Sequence, residues 1–132
     1  MTYKDKELLL QDLSARLPYG VMCNIGLKYP LQLQRIFVNR LDGILLDFYE
    51  DGDNYQVYLS EVKPYLRPMS SMTEEEWTDY QKIRMIDWVN GDINGTFINA
   101  GLIVDWLNKN HFDYRGLIPK GLAFEAPEGM YK

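Results

Sequence analysis

The stretch LQRIFVNRLDGILLDFYEDGDNYQVYLS, residues 33–60, decides the fold. Two runs rich in aliphatic and aromatic residues meet at Asp42-Gly43, and a third follows Asp51-Gly52-Asp53. An Asp-Gly pair between apolar runs is a strong hairpin signal, because both residues tolerate the positive φ that a tight turn requires. In the third run Tyr55, Val57 and Leu59 alternate with Gln56, Tyr58 and Ser60, the period of two expected of a half-buried strand. Just upstream, Val21, Cys23, Ile25 and Leu27 alternate in the same way until Tyr29-Pro30 closes the run. Residues 20–60 are therefore predicted to form a four-stranded antiparallel meander.

Helices are expected on either side. Leu9, Leu10, Leu13 and Leu17 recur at helical spacing with Lys6, Asp12 and Arg16 between them, and Pro18 stops the pattern, so a helix is predicted over residues 4–17. After residue 60, Pro64 and Pro68 in KPYLRPMSSM cannot donate to a ladder, and the segment is read as a connector. Thr73 and Glu76 have capping-box spacing, and Met72 and Trp77 occupy the positions of a hydrophobic staple. A second helix is expected to run from there to about Asn90, with Trp77, Tyr80 and Ile83 on one face and Gly91 to end it. Asn94-Gly95 is read as a turn, and Phe97, Ala100, Val104 and Leu107, broadened by Ile103 and Trp106, as the apolar face of a third helix over residues 96–110. The rest is punctuated by Gly and Pro and is expected to pack as an irregular tail through Phe112, Leu117, Ile118, Leu122 and Phe124. Strands grouped between helices, without alternation, give an α+β class rather than a doubly wound sheet.

The chain has 132 residues, 46% of them hydrophobic and 25% charged, which suits one domain over residues 1–132 and excludes disordered and collagen-like classes. Its composition is unusual in its aromatics: 10 Tyr, 5 Phe and 3 Trp. The formal net charge is -5, and neither half of the chain is basic. Phosphate neutralisation needs a concentrated basic surface, so nucleic acid is not an expected partner. No apolar run approaches a membrane span, and the charged opening Lys4, Asp5, Lys6, Glu7 lacks the pattern of a secretory leader; a cytoplasmic protein is expected. With one Cys and one His, neither a disulfide nor a zinc site is expected, and no cofactor signature is present.

The densest cluster of chemistry is NHFDYRG, residues 110–116, which gathers His111, Asp113, Tyr114 and Arg115. A carboxylate can fix an imidazole tautomer and a cation can hold an anionic substrate, so these four are the candidate catalytic residues of a small enzyme. The stronger reading is structural: a His closing a helix by bonding its last carbonyls, with Asp113 and Arg115 satisfying nearby backbone. Cys23 paired with His111 is a weaker nucleophile candidate, because its alternation with Val21 and Ile25 points it into the core. Glu50, Asp51, Gly52 and Asp53 resemble part of a calcium loop, but the twelfth position holds Val62, and no metal site is assigned. Tyr49, Tyr55, Tyr58 and Tyr65 are the candidate binding residues, as interface anchors, against an alternative role as cross-strand pairs.

The segments LPYGV (17–21), KPYLRPMSSMTEEE (63–76) and DWLNKNHFDYRGLIPKGLAFEAPEGMY (105–131) resemble those of a family of small uncharacterised proteins from gut bacteria and their phages or prophages. The resemblance implies context and no catalytic residue or cofactor: a mobile-element origin favours a protein that binds or modifies a host factor. The leading expectation is a non-enzymatic protein-binding module, a phage-linked modulator of an unknown host protein. Its rivals are a small enzyme built around His111 and an acidic mimic of nucleic acid.

Overall fold

The computed structural model describes residues 1–89 and 93–131, with side chains considered outside 85–89 and 93–100. Thr2 opens the first helix, α1 (Tyr3–Arg16), through a capping box: its hydroxyl accepts from the Asp5 N–H while the Asp5 carboxylate accepts from the Thr2 N–H. Pro18 carries the chain out through a 3-10 turn, Leu17–Tyr19. The strands that follow are β1 (Met22–Asn24), β2 (Leu31–Asn39), β3 (Gly43–Glu50) and β4 (Asp53–Tyr58). All four pair antiparallel in sequence order, as the alternation predicts.

Two details of the meander differ from the sequence reading. The alternation that ran to Leu27 stops at Asn24, because the Asn24 side-chain oxygen accepts from the Gly26 N–H at 2.9 Å and Gly26 adopts φ 95°. That local bond competes with the ladder and ends the strand. The β2–β3 connection is not a two-residue Asp42-Gly43 turn; Asn39 pairs with Gly43, which enters β3 at φ 80° and leaves Arg40 to Asp42 as the loop. A three-residue loop closed by a left-handed glycine is the next commonest hairpin solution. The turn expected at Asp51-Gly52-Asp53 is present and closes over two residues, Asp51 and Gly52 at φ 47° and 85°, with Asp53 already paired to Glu50 in β4.

The sheet also extends beyond a four-stranded meander. The proline-rich segment read as a connector contributes β5 (Lys63–Leu66), antiparallel to β1, and the tail contributes β6 (Phe124–Glu125), parallel to β5. The result is a six-stranded mixed sheet in the order β4-β3-β2-β1-β5-β6. Pro64 is tolerated because it pairs with Cys23 on one side only, the β6 ladder beginning at Tyr65.

Two further helices, α2 (Glu74–Val89) and α3 (Ile93–Lys109), form a hairpin. The Thr73–Glu76 capping box is present, with both reciprocal bonds at 3.1 Å. Asn94-Gly95 lies in the first turn of α3 rather than ahead of it, while Asn90 and Gly91 fall outside the described residues. The hairpin reaches the rest of the molecule through aromatic rings. Trp77 meets Tyr80 at 5.9 Å, Tyr80 meets Trp106 at 5.8 Å, and Trp106 stacks on buried Phe112 at 5.6 Å. Leu107 is buried, but Val104 and Trp77, expected on packed faces, are exposed.

One core joins these parts. Leu9 and Leu13 of α1 meet Val21, Cys23, Leu33, Leu46, Phe48, Val62 and Leu66 of the sheet region together with Leu117, Leu122 and Ala123 of the tail. The tail is thus ordered and docked, although Phe124 is 41% exposed and meets the Tyr65 ring at a tilt, 5.8 Å between centroids, instead of entering the core. Among the described residues no helix is long and apolar enough to cross a membrane.

Candidate functional site

Residues 9, 12, 13 and 16 share one face of α1, so Asp12 and Arg16 enter the interior beside Leu9 and Leu13, and both are fully buried. Arg16 Nε donates to Asp12 Oδ2 at 2.9 Å, and its Nη2 donates to the Phe112 carbonyl at 2.6 Å. The other Asp12 oxygen accepts from Arg115 Nη1 at 2.9 Å. Tyr114 offers its ring to both guanidinium groups, 5.6 Å from Arg16 and 4.5 Å from Arg115, and donates its hydroxyl to Asn108 Oδ1 at 2.9 Å. A buried carboxylate flanked by two arginines therefore fastens the first helix to the segment after α3.

His111 occupies the turn that ends α3. Its N–H donates to the Asn108 carbonyl and the Phe112 N–H to the Leu107 carbonyl, a Schellman pattern with His111 at φ 60° where glycine is usual. The backbone, not the ring, closes the helix. The ring is buried, stacks on Tyr131 at 3.8 Å, and places Nε2 3.0 Å from the Tyr19 carbonyl. A carbonyl only accepts, so we assign the ring hydrogen to Nε2, which leaves Nδ1 as a buried lone pair without a partner. Burial, with the positive charge of Arg16 added, holds the imidazole at a pKa of about 4, so it is neutral near pH 7.

The other candidates are committed elsewhere. Asp113 accepts from the Leu117 and Ile118 N–H groups at 2.8 and 2.9 Å and makes no bond to His111. Arg115 serves Asp12 rather than neighbouring backbone. Cys23 is buried at the centre of the core, and desolvation together with the Asp12 carboxylate pushes its thiol up, leaving it protonated and inert. The His111 cluster is a structural hub whose members bond outward to separate partners, so His111, Asp113, Tyr114 and Arg115 are not aimed at a common substrate position.

A cleft of about 500 Å³ opens nearby, between the α2 N-terminus and the tail, lined by Arg67, Thr73, Glu76, Glu125, Glu128 and Tyr131 among others. Arg67 rests on the Phe112 ring at 4.2 Å and is held by Glu76 through two bonds of 2.6 Å. Those bonds, with the Thr73 cap, keep the Glu76 carboxyl below its usual range. Both charges are thereby satisfied within the chain. Among the described residues no group of acidic, His and Cys side chains has the makings of a metal site.

The four tyrosines divide. Tyr55 is half-buried against the core, and the Tyr65 ring leans on Phe124 while its hydroxyl accepts from Asn24 at 3.2 Å. Tyr49 and Tyr58 are 50% and 46% exposed, the Tyr58 hydroxyl donating to Asp42 Oδ1 at 3.5 Å. Opposed residues of a sheet share a face, and the register sets Phe37, Leu45 and Tyr58 in one row and Arg35, Asp47 and Gln56 in the next. Tyr49, opposite Asn54, begins the third row, so these residues make up the outer face, away from Leu46, Phe48, Tyr55 and Val57. At its centre Asp47 is buried, one oxygen bonded by Arg35 at 2.6 and 2.7 Å and the other without a partner. Arg35 spreads over the Phe37 ring at 4.6 Å, with its side chain 56% exposed. Sequence reading missed Asp12, Arg16 and Arg35; the 9-12-13-16 spacing was the available signal for the first two.

Comparison with family models, with curated proteins and with solved structures finds no match.

Proposed function

We propose that this chain is a non-enzymatic protein-binding module that engages its partner through the outer face of β2, β3 and β4. The observation that carries the reading is the pair of half-exposed tyrosines, Tyr49 and Tyr58, on the same face as Arg35 and Phe37. Aromatic and arginine side chains set on a rigid sheet are the composition of interface hot spots, since they cover much area at little entropic cost. The commitment of His111, Asp113, Tyr114 and Arg115 to structural bonds supports a binding role over the enzyme reading. Resemblance to phage and prophage proteins favours a host protein as the partner, met in the cytoplasm.

The test is affinity capture from lysate of a gut bacterium with three forms of the full chain: unaltered, Tyr49→Ala/Tyr58→Ala, and Trp77→Ala as an exposed aromatic control on α2, away from this face. A specific protein should be retained by the first and third and its affinity reduced at least about thirtyfold by the double variant, as hot-spot losses of about 2 kcal/mol or more require. Equal retention by all three, or no specific protein with any, overturns the proposal.

A further inference from the structure

The sheet has two edges, and they are built differently. At one, β6 is two residues long, carries Glu125 and is followed within two residues by Pro127, the short, charged, proline-flanked form that does not template pairing. At the other, β4 offers DNYQVY, with its only charge at Asp53 and neither proline nor lysine. Which backbone groups point outward from β4 follows from the turn beside it. A two-residue hairpin closes on a pair that exchanges both hydrogen bonds, here Glu50 with Asp53. Alternation then makes Phe48–Tyr55 and Leu46–Val57 bonded pairs as well, so the N–H and C=O groups of Asn54, Gln56 and Tyr58 face away from β3. Among the described residues no backbone group meets them.

Those three residues are spaced symmetrically about Gln56. We propose that the chain associates with a second copy of itself through β4, the strands antiparallel about a two-fold axis at Gln56. In that register Gln56 faces the partner's Gln56, and Asn54 faces the partner's Tyr58, so each outward N–H meets an outward C=O and no like charges are opposed. Tyr55 faces the partner's Val57, which keeps both core faces on one side and both outer faces on the other. The occupant is a second copy because the edge is complementary to itself. The pairing does not depend on the reading of the outer face as a docking surface, though it would join the two outer faces into one.

The test uses the purified full chain alone, so its failure is read separately from that of the lysate capture. Sedimentation over a concentration series at physiological salt, where charge repulsion is screened beyond about 8 Å, should show a monomer–dimer equilibrium. Gln56→Pro removes an N–H that faces outward and leaves the β3 ladder intact; by symmetry two bonds are lost, raising the dissociation constant about thirtyfold. Should that variant fold poorly by circular dichroism, Gln56→Lys sets two ammonium groups against each other and should also favour the monomer. Gln56→Cys places two thiols on residues about 5.5 Å apart at Cα, within disulfide reach, and mild oxidation should give a covalent dimer. A monomer at every concentration overturns the proposal, whether or not the edge takes a foreign strand. So does a dimer that Gln56→Lys leaves unchanged, or a Gln56→Cys chain that stays uncrosslinked.

Discussion

Arg16 is withdrawn from water together with Asp12, and each needs the other, because an isolated charge in the interior would be strongly unfavourable. Asp12→Ala would leave the Arg16 guanidinium buried with the Phe112 carbonyl as its remaining acceptor, a loss of about 3–5 kcal/mol where whole domains are stable by about 5–15. Urea titration should show it as a large drop in midpoint, with the double replacement Asp12→Leu/Arg16→Met recovering part of the loss; a midpoint within error of the unaltered chain would refute the pairing. His111 makes a different contribution. Its pKa is about 4 in the folded chain against an ordinary value of 6.5, so between these pH values the unfolded chain holds more proton. Its stabilising effect is complete above pH 6.5, is lost as the pH falls toward 4, and amounts to about 3 kcal/mol across the window. His111→Asn, which tolerates the positive φ, should lower stability at pH 7 and flatten the dependence of melting temperature on pH between 6.5 and 4.5. An unchanged slope would mean that other groups carry the dependence.

The aromatic rings that attach the α2–α3 hairpin form a unit small enough to test alone. Tyr80 touches Trp77 on one side and Trp106 on the other, and ring pairs contribute about 0.5–1.5 kcal/mol each beyond area. Tyr80→Ala should therefore speed amide exchange in α2 and α3 by about tenfold or more while exchange in β2 and β3 stays slow. Equal acceleration throughout would show the hairpin and the sheet to be one cooperative unit. Elements such as α2 were legible because capping and turn chemistry act within a few residues: Thr73 with Glu76, and Asp51 with Gly52, are local rules obeyed locally. The strand β5 was not, since Pro64 and Pro68 signal against a strand and only the one-sided pairing with Cys23 makes Pro64 acceptable. The candidate cluster was legible as special, and its structural reading was available from the helix end, but its partners were not. Nothing near His111 in sequence announces that its ring reaches Tyr19, or that Arg115 reaches back to Asp12.

At the scale of the whole molecule the two ends of the chain hold each other. The tail supplies β6, places Leu117, Leu122 and Ala123 in the core, and sends Arg115 to α1. Near its end the Tyr131 hydroxyl accepts from the Met22 N–H at 2.8 Å and donates to the Tyr65 carbonyl at 2.7 Å, tying β1 to β5. Burial pushes that hydroxyl's pKa up, so it stays protonated and able to donate. Ordering such a segment costs about 1–2 kcal/mol per residue in backbone entropy, which its buried side chains offset at roughly 1.5–3 kcal/mol each together with the bonds it closes. Its attachment is therefore cooperative with the core rather than added to it. Ending the chain after Asn110 would expose Leu9, Leu13 and Leu66, strand Arg16 without its Phe112 carbonyl, and leave β5 without β6. Such a chain should not accumulate as a soluble folded protein, whereas Tyr131→Phe, which removes only the hydroxyl, should fold with a loss of about 1–3 kcal/mol from the backbone groups left unpaired. Thermal melts of the two variants beside the full chain decide the matter: a truncated chain that melts like the whole would show that the tail rests on the core without supporting it.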